Sequence, residues 1–293
     1  MAVRCVTCFA KILCLVFALV LVFTMSACSR DVTVVEQTGL ILEVTVARQQ
    51  EIEAVISDAY TTTTEPPTKA EFGQNCIGLT EKDLPEDAKI VYLTFDDGPS
   101  SNTQPILDIL DKYGCGATFF VMNSDYRNEY KNIVDHGHAI ALHTYTHDFY
   151  DLYASVDDYF ADLDRISDLV YEKTGVRSML IRFPGGSSNT ISRSVCHGIM
   201  SELVDEVENR GYSYFDWNAD SQDASRNNVS ASHIFESSTS SSANRIILLM
   251  HDTDVKDSTV KALPSIIEYY QDQGYFFLSL NENSPSAHHG VVN

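Results

Sequence analysis

Basic residues are scarce in this chain. Against 41 Asp and Glu there are 20 Lys and Arg, and the formal net charge is −21. A surface of that sign cannot assemble the Lys/Arg contacts that a phosphate backbone demands, which excludes a nucleic-acid partner. Cysteine is thin where a fold would need it. Of seven, Cys5, Cys8, Cys14 and Cys28 lie near the start, leaving Cys76, Cys115 and Cys196. Three is odd, so at least one thiol is unpaired or all three are free; no pair has the close spacing of a zinc knuckle, and Cys115 and Cys196 read as small buried hydrophobes. Tryptophan occurs once, as Trp217. There is no heptad pattern of a coiled coil, and the oligomeric state stays open.

Long apolar runs are also nearly absent, with one exception. Ile12 to Met25 reads "ILCLVFALVLVFTM", preceded by Arg4 and Lys11 and followed by Ser26, Ala27 and Cys28. Basic start, short apolar centre and small residues are the layout of an export leader over residues 1–28. The run is shorter than the roughly 20 residues that span a bilayer. "MSAC" resembles a bacterial lipobox, with Met25 where Leu is commoner, which makes Cys28 a candidate lipid-attachment site at the outer face of the membrane. A simple cleaved signal and a retained anchor are the alternatives. Residues 29–87 contain the Thr/Pro stretch "TTTTEPPTKAE" and read as an extended tether.

From residue 88 to 283 the pattern turns regular. Runs rich in β-branched and aromatic residues recur as "IVYLT", "ATFFV", "AIAL", "MLIRF", "YSYFDW", "RIILLM" and "YFFLSL". Helix-period stretches such as "DDYFADLDRISDLVYEKTG" lie between them, closed by glycine. Seven strand–helix alternations with nearly continuous apolar strands argue for an α/β fold with parallel strands buried on both faces. Residues 284–293 read as a polar, disordered tail.

The residues able to do chemistry gather just after these strands: Asp96 and Asp97, then His143 and His147, Arg182, Asp220 and Asp223, and His251 with Asp252. A parallel barrel collects such ends on one rim. Two adjacent carboxylates repel unless a cation is near. "HTYTH" offers one, because His143 and His147, four apart on one helical turn, would face the same way and join a carboxylate on zinc. One aspartate would then bind metal while the other stays free to take a proton from water.

"TFDDGPS", "HTYTH", "RFPGG", "DWNADSQDA" and "ILLMHD", in this order and approximate spacing, resemble the five motifs of the polysaccharide deacetylase family, the NodB-homology or carbohydrate esterase family 4 domain. The resemblance spans about Ile90 to Leu280. It implies a distorted (β/α)7 TIM-like barrel that removes acetyl groups from sugars with a divalent metal, zinc first and cobalt as the alternative. Carried over by residue, Asp96 would be the general base and Asp97, His143 and His147 the metal ligands. Arg182 would pair with Asp96. Gly185 N–H would donate to the oxyanion, His251 would be the general acid tuned by Asp223, and Leu249 would line the acetyl pocket. The chain departs from the family where Asp223 is followed by Ala224 rather than Trp, and Trp217 is read equally as a barrel-end residue or a pocket wall.

The expected substrate is a carbohydrate polymer of the cell envelope, most plausibly N-acetylglucosamine of peptidoglycan. An O-acetyl esterase, a cyclic-amide hydrolase or an inactive glycan-binding protein are the alternatives. Structural roles are expected for His136 and His138 (turn and strand packing), Asp220 (loop support), Asp252 and Asp254 (caps of the following helix) and His288 and His289 (tail).

Overall fold

The apolar runs become parallel strands. The computed structural model describes residues 75–226 and 228–292; the leader, Cys28 and most of the tether lie outside them. The strands are β1 (Lys89–Asp96), β2 (Ala117–Met122), β3 (Ala139–Thr144), β4 (Leu180–Ile181), β5 (Ser213–Tyr214), β6 (Ala219–Asp220), β7 (Arg245–His251) and β8 (Tyr275–Phe277). Between them run α1 (Thr103–Tyr113), α2 (Glu129–Asp135), α3 (Phe149–Leu152), α4 (Val156–Thr174), α5 (Ile191–Val195), α6 (Ile199–Asn209), α7 (Ala231–Ser238) and α8 (Asp257–Asp272).

The sheet order is β5-β4-β3-β2-β1-β7-β6, all pairs are parallel, and β8 adds alongside the first half of β1. This curled α/β sheet is the distorted barrel expected from the resemblance. The fourth and fifth strands shrink to two residues each, and Ala219–Asp220 forms a strand the apolar pattern did not single out. Among the described residues no ladder joins β5 to β6, so the sheet is open there.

Strand alternation sorts the side chains into two cores. Along β1, Val91, Leu93 and Phe95 pack with the helices, whereas Ile90 and Tyr92 join Phe120, Ala141, Leu180 and Ile247 inside the barrel. Two-residue periodicity then carries the inward row upward to Thr94 and Asp96 on β1, His143 on β3, and Leu249 and His251 on β7. The inward face is therefore apolar at the base and polar at the C-terminal rim.

Two chain segments depart from expectation. Residues 76–87, grouped with the tether, pack under the barrel: Cys76 is buried, Leu79 and Leu84 cover the inner core, and Glu81 takes Arg245 at 2.9 Å and the Tyr92 hydroxyl. Their apolar side chains reach core only after folding, so a polar stretch hid them. The C-terminal tail is ordered against the open side of the sheet. His288 stacks on Tyr214 with ring centroids 3.7 Å apart, and His289 donates its backbone N–H to Asp216 Oδ2 at 2.8 Å. Short polar composition suggested disorder, but these rings find partners at the gap between β5 and β6.

Candidate active site

Asp96 ends β1 and points inward, 3% exposed, to Arg182 at 2.7 Å. Arg182 follows β4 and is fully buried. Its other N–H groups donate to Thr94 Oγ1 (2.8 Å), Phe215 O (2.8 Å) and Asp216 O (3.1 Å), and its guanidinium lies 4.2 Å from the Phe120 ring. A buried charge is tolerable when its donors are met in this way, here by four hydrogen bonds including the one to Asp96.

Asp97 breaks the strand alternation. Its φ of 70° is left-handed, which turns the carboxylate away from where the pleat would send it. Asp97 Oδ1 then lies 3.4 Å from His143 Nε2 and 3.4 Å from His147 Nε2, and it is buried without a hydrogen-bond partner. Donor atoms of the three residues all fall within 4.8 Å of one another. The Nδ1–H of His143 donates to Arg182 O at 2.8 Å, which leaves the Nε2 lone pair toward Asp97. Burial pulls the His143 imidazole below its ordinary pKa and favours that neutral form. An orphaned carboxylate oxygen with two imidazole nitrogens suits a divalent cation that keeps open positions.

The two histidines do not share a helical turn. His143 belongs to β3, and His147 follows it in a left-handed conformation, φ 55°. A buried carboxylate, Asp162 of α4, imposes this shape by accepting from Thr144, Tyr145 and Thr146.

Across the rim, Asp223 grips His251 twice: Nδ1 to Oδ1 at 2.7 Å and the backbone N–H to Oδ2 at 2.9 Å. Thr259 Oγ1 donates to Oδ2 at 2.8 Å, and Lys256 Nζ donates to the backbone carbonyl of Asp223 at 2.7 Å. Burial alone would lower the His251 pKa. The Asp223 hydrogen bond and charge, with Asp96 and Asp97 behind it, outweigh burial and raise it to about 9. Burial pushes Asp223 upward, but its hydrogen bonds and the His251 charge leave it below the usual carboxylate value.

Gly185 and Gly186 both take left-handed φ, 77° and 76°. Gly186 N–H is used internally, on Phe183 O at 2.8 Å, while Gly185 is exposed. A Cβ on Gly186 would meet the Trp217 ring at 3.0 Å. Trp217 thus packs on the glycine turn, 5.7 Å from the Arg182 guanidinium, with His289 against its ring edge-on and hydrogen-bonded to its carbonyl at 2.6 Å. Leu249 is buried on the same inward row as His251.

Asp252 and Asp254 do not cap the following helix. Asp252 is fully buried and accepts from Ser100 Oγ (2.5 Å) and Thr103 Oγ1 (2.6 Å), while Asp254 accepts from Ser101 N–H (2.9 Å). Both carboxylates anchor the turn after β1, because the β1–β7 pairing brings the two strand ends together. Burial lifts the Asp252 pKa to about 6, against the lowering effect of those hydroxyls. The structural reading holds for Asp220, whose Oδ1 accepts from Gln222 N–H at 2.7 Å. It holds too for His136, on Asp111 at 2.8 Å, and for buried His138, pushed down to about 3 by desolvation.

Sequence reasoning passed over Asp162 and Asp216. Asp162 carried a signal: it falls on the buried stripe of α4 among Tyr159, Leu163 and Ile166, where an acid has no place unless it is used. Asp216, buried, receives Ser187 N–H at 2.8 Å and Ser187 Oγ at 2.5 Å, but its place in the aromatic run "YFDW" carried no such signal.

Carboxylates, imidazoles and one guanidinium converging on the C-terminal rim of a parallel sheet define an α/β-barrel hydrolase. The polysaccharide deacetylase family profile matches residues 83–199. A peptidoglycan-N-acetylglucosamine deacetylase of Bacillus cereus is 30% identical over 219 residues, 70% of this chain and 92% of its own length. A chitooligosaccharide deacetylase of Sinorhizobium fredii is 32% identical, over 67% of this chain and 92% of its own. The crystal structure of the catalytic domain of peptidoglycan N-acetylglucosamine deacetylase from Eubacterium rectale superposes with a TM-score of 0.69 at 42% identity, covering 72% of this chain and 96% of that one. The chain belongs to the polysaccharide deacetylase family.

Proposed function

We propose that this enzyme removes N-acetyl groups from a cell-envelope glycan, with N-acetylglucosamine of peptidoglycan as its substrate. The observation that carries the reading is the pairing of Asp96 with His251. They are register partners on adjacent parallel strands, on the same inward face, and each is held by a different buried partner, Arg182 or Asp223. A base and an acid a strand apart match an amide hydrolysis in which one proton leaves water and another joins the departing amine.

Asp97, His143 and His147 would hold a divalent ion, which when bound would supply Lewis-acid polarisation. Asp96 takes the water proton, and Arg182 fixes its orientation through a charge-assisted hydrogen bond. The water oxygen bonds to the acyl carbon, and the Gly185 N–H donates to the developing oxyanion. His251 then gives its proton to the sugar nitrogen as the carbon–nitrogen bond breaks, releasing acetate and a free amine. Leu249 and Trp217 bound the space for the acetyl methyl and the sugar.

The names of the Bacillus cereus and Eubacterium rectale relatives support peptidoglycan as substrate. The leader and Cys28 support an exported, lipid-anchored enzyme; labelled fatty acid should enter the protein and be lost in Cys28→Ala. Among the described residues no helix is long and apolar enough to cross a membrane. Acetate release from peptidoglycan fragments and chitooligosaccharides tests the activity. Equal release by wild type, Asp96→Ala and His251→Ala would sink the mechanism.

A further inference from the structure

Three buried aspartates that touch neither another's loop nor the candidate ligands each hold one loop of the site. Asp252 holds the turn after β1, Asp216 holds Ser187 beside the glycine turn, and Asp162 holds the segment between His143 and His147. The Asp162 carboxylate, 7% exposed, accepts four hydrogen bonds: Thr144 Oγ1 (2.6 Å) and Tyr145 N–H (2.5 Å) on Oδ1, Thr146 N–H (3.0 Å) and Thr146 Oγ1 (2.8 Å) on Oδ2. Thr144 Oγ1, having spent its hydrogen on Asp162, accepts the backbone N–H of His147 at 3.3 Å.

We propose that Asp162 is a positioning residue for the divalent ion, acting through Thr144 on His147; this rests on the reading of Asp97, His143 and His147 as its ligands. His143 is secured without Asp162, lying between the paired strand residues Leu142 and Thr144 and donating its Nδ1–H to Arg182 O. His147 lies beyond the ladder in a left-handed conformation, which a non-glycine residue keeps only where its surroundings over-determine it. Asp162 supplies that constraint, since both its oxygens are filled by donors of the three residues preceding His147. Removing one acceptor frees the turn, and the His147 ring leaves Asp97 while His143 stays. Loss of one ligand of three weakens binding without abolishing it.

The test is Co2+ titration of the chelator-treated full chain, followed by calorimetry and by the visible absorption of bound cobalt. Asp162→Asn keeps the shape but turns an N–H2 toward the Tyr145 or Thr146 donors. It should weaken Co2+ affinity by about 10–100-fold, the usual effect of losing a group that orients a ligand, and speed amide exchange over residues 145–147. Asp216→Asn is the control, a buried carboxylate that accepts three hydrogen bonds on another loop; its Co2+ affinity should equal wild type although acetate release falls. Should Asp162→Asn not fold, Thr144→Val removes the hydroxyl that joins Asp162 to His147, leaves the Asp162 bonds to Tyr145 and Thr146, and should weaken Co2+ binding in the same way. Wild-type affinity in Asp162→Asn or Thr144→Val overturns the assignment. Failure of the wild-type protein to bind Co2+ or Zn2+ would instead remove the metal reading itself, and the positioning role with it.

Discussion

Asp96 and Asp97 are consecutive in the chain yet face different partners: Asp96 reaches the Arg182 guanidinium at 2.7 Å, and Asp97 stands 3.4 Å from each of two imidazole nitrogens. The left-handed φ of Asp97 keeps both carboxylates at one rim, because a continued strand would have sent the two side chains to opposite faces of the sheet. Each carboxylate therefore has its own surroundings, a guanidinium for Asp96 and a pair of imidazoles for Asp97.

This division predicts that Asp96→Asn separates chemistry from metal binding. Acetate release should fall by about 10²–10⁴, the usual contribution of a positioned base, while Zn2+ affinity in calorimetry stays at the wild-type value. Arg182 would keep its bonds to Thr94, Phe215 and Asp216 but lose its one carboxylate partner among the described residues. Breaking a buried ion pair costs about 3–5 kcal/mol, so the denaturant midpoint should drop.

The Asp223–His251 pair sets the alkaline limit. A general acid must be protonated, so kcat/KM should decline as pH rises through the His251 pKa, about 9. Asp223→Asn removes the charge that outweighs burial, and the alkaline limb should move to lower pH in the pH–rate profile. An unchanged limb would show that another group donates the proton.

Stability should carry the same signature. The His251 pKa is raised on folding from 6.5, so its contribution is complete below the unfolded value and disappears as pH climbs through about 9. For Asp223, lowered on folding, the contribution is present above 3.8 and fades as pH falls through its folded value. Urea midpoints measured from pH 6 to 10 should decline in the wild type and flatten in His251→Ala.

Chelation is expected to lower the melting temperature as well as activity. A ligand at 100 times its Kd stabilises the fold by about 2.7 kcal/mol, and that increment should vanish in His143→Ala and His147→Ala. A thermal shift with added Zn2+ that persists in both variants would locate the ion elsewhere.

Gly98 is required for space. A Cβ there would stand 2.5 Å from Asp252 Oδ2, the carboxylate that Ser100 and Thr103 hold in place. Gly98→Ala should therefore destabilise by about 1–3 kcal/mol, as overpacking does, and displace Asp96 and Asp97 together. Replacing Asp252 by Ala in the same chain should recover part of the lost thermal stability by making room.

Much of the architecture was legible because it follows from local rules. Nearly continuous apolar runs such as "IVYLT" and "RIILLM" mark parallel strands buried on both faces, and chemistry-bearing residues placed after such strands must share a rim. Asp96, Arg182, His143 and His251 could be assigned to one site on that ground. The parts that could not be read depend on contacts between residues far apart in the chain. The spacing of His143 and His147 suggested a helix, but His147 takes a left-handed φ while Asp162, from α4, accepts hydrogen bonds from the residues before it. Asp252 looked like a cap until strand pairing carried it beneath Gly98. The tail looked disordered until the opening between β5 and β6 offered Tyr214, Asp216 and Trp217 as partners for His288 and His289. Periodicity alone determined which residues face the barrel, since it is set by backbone geometry. Which carboxylate serves which partner was decided only by tertiary structure, because burial, orphaned oxygens and matched donors exist only once distant segments meet.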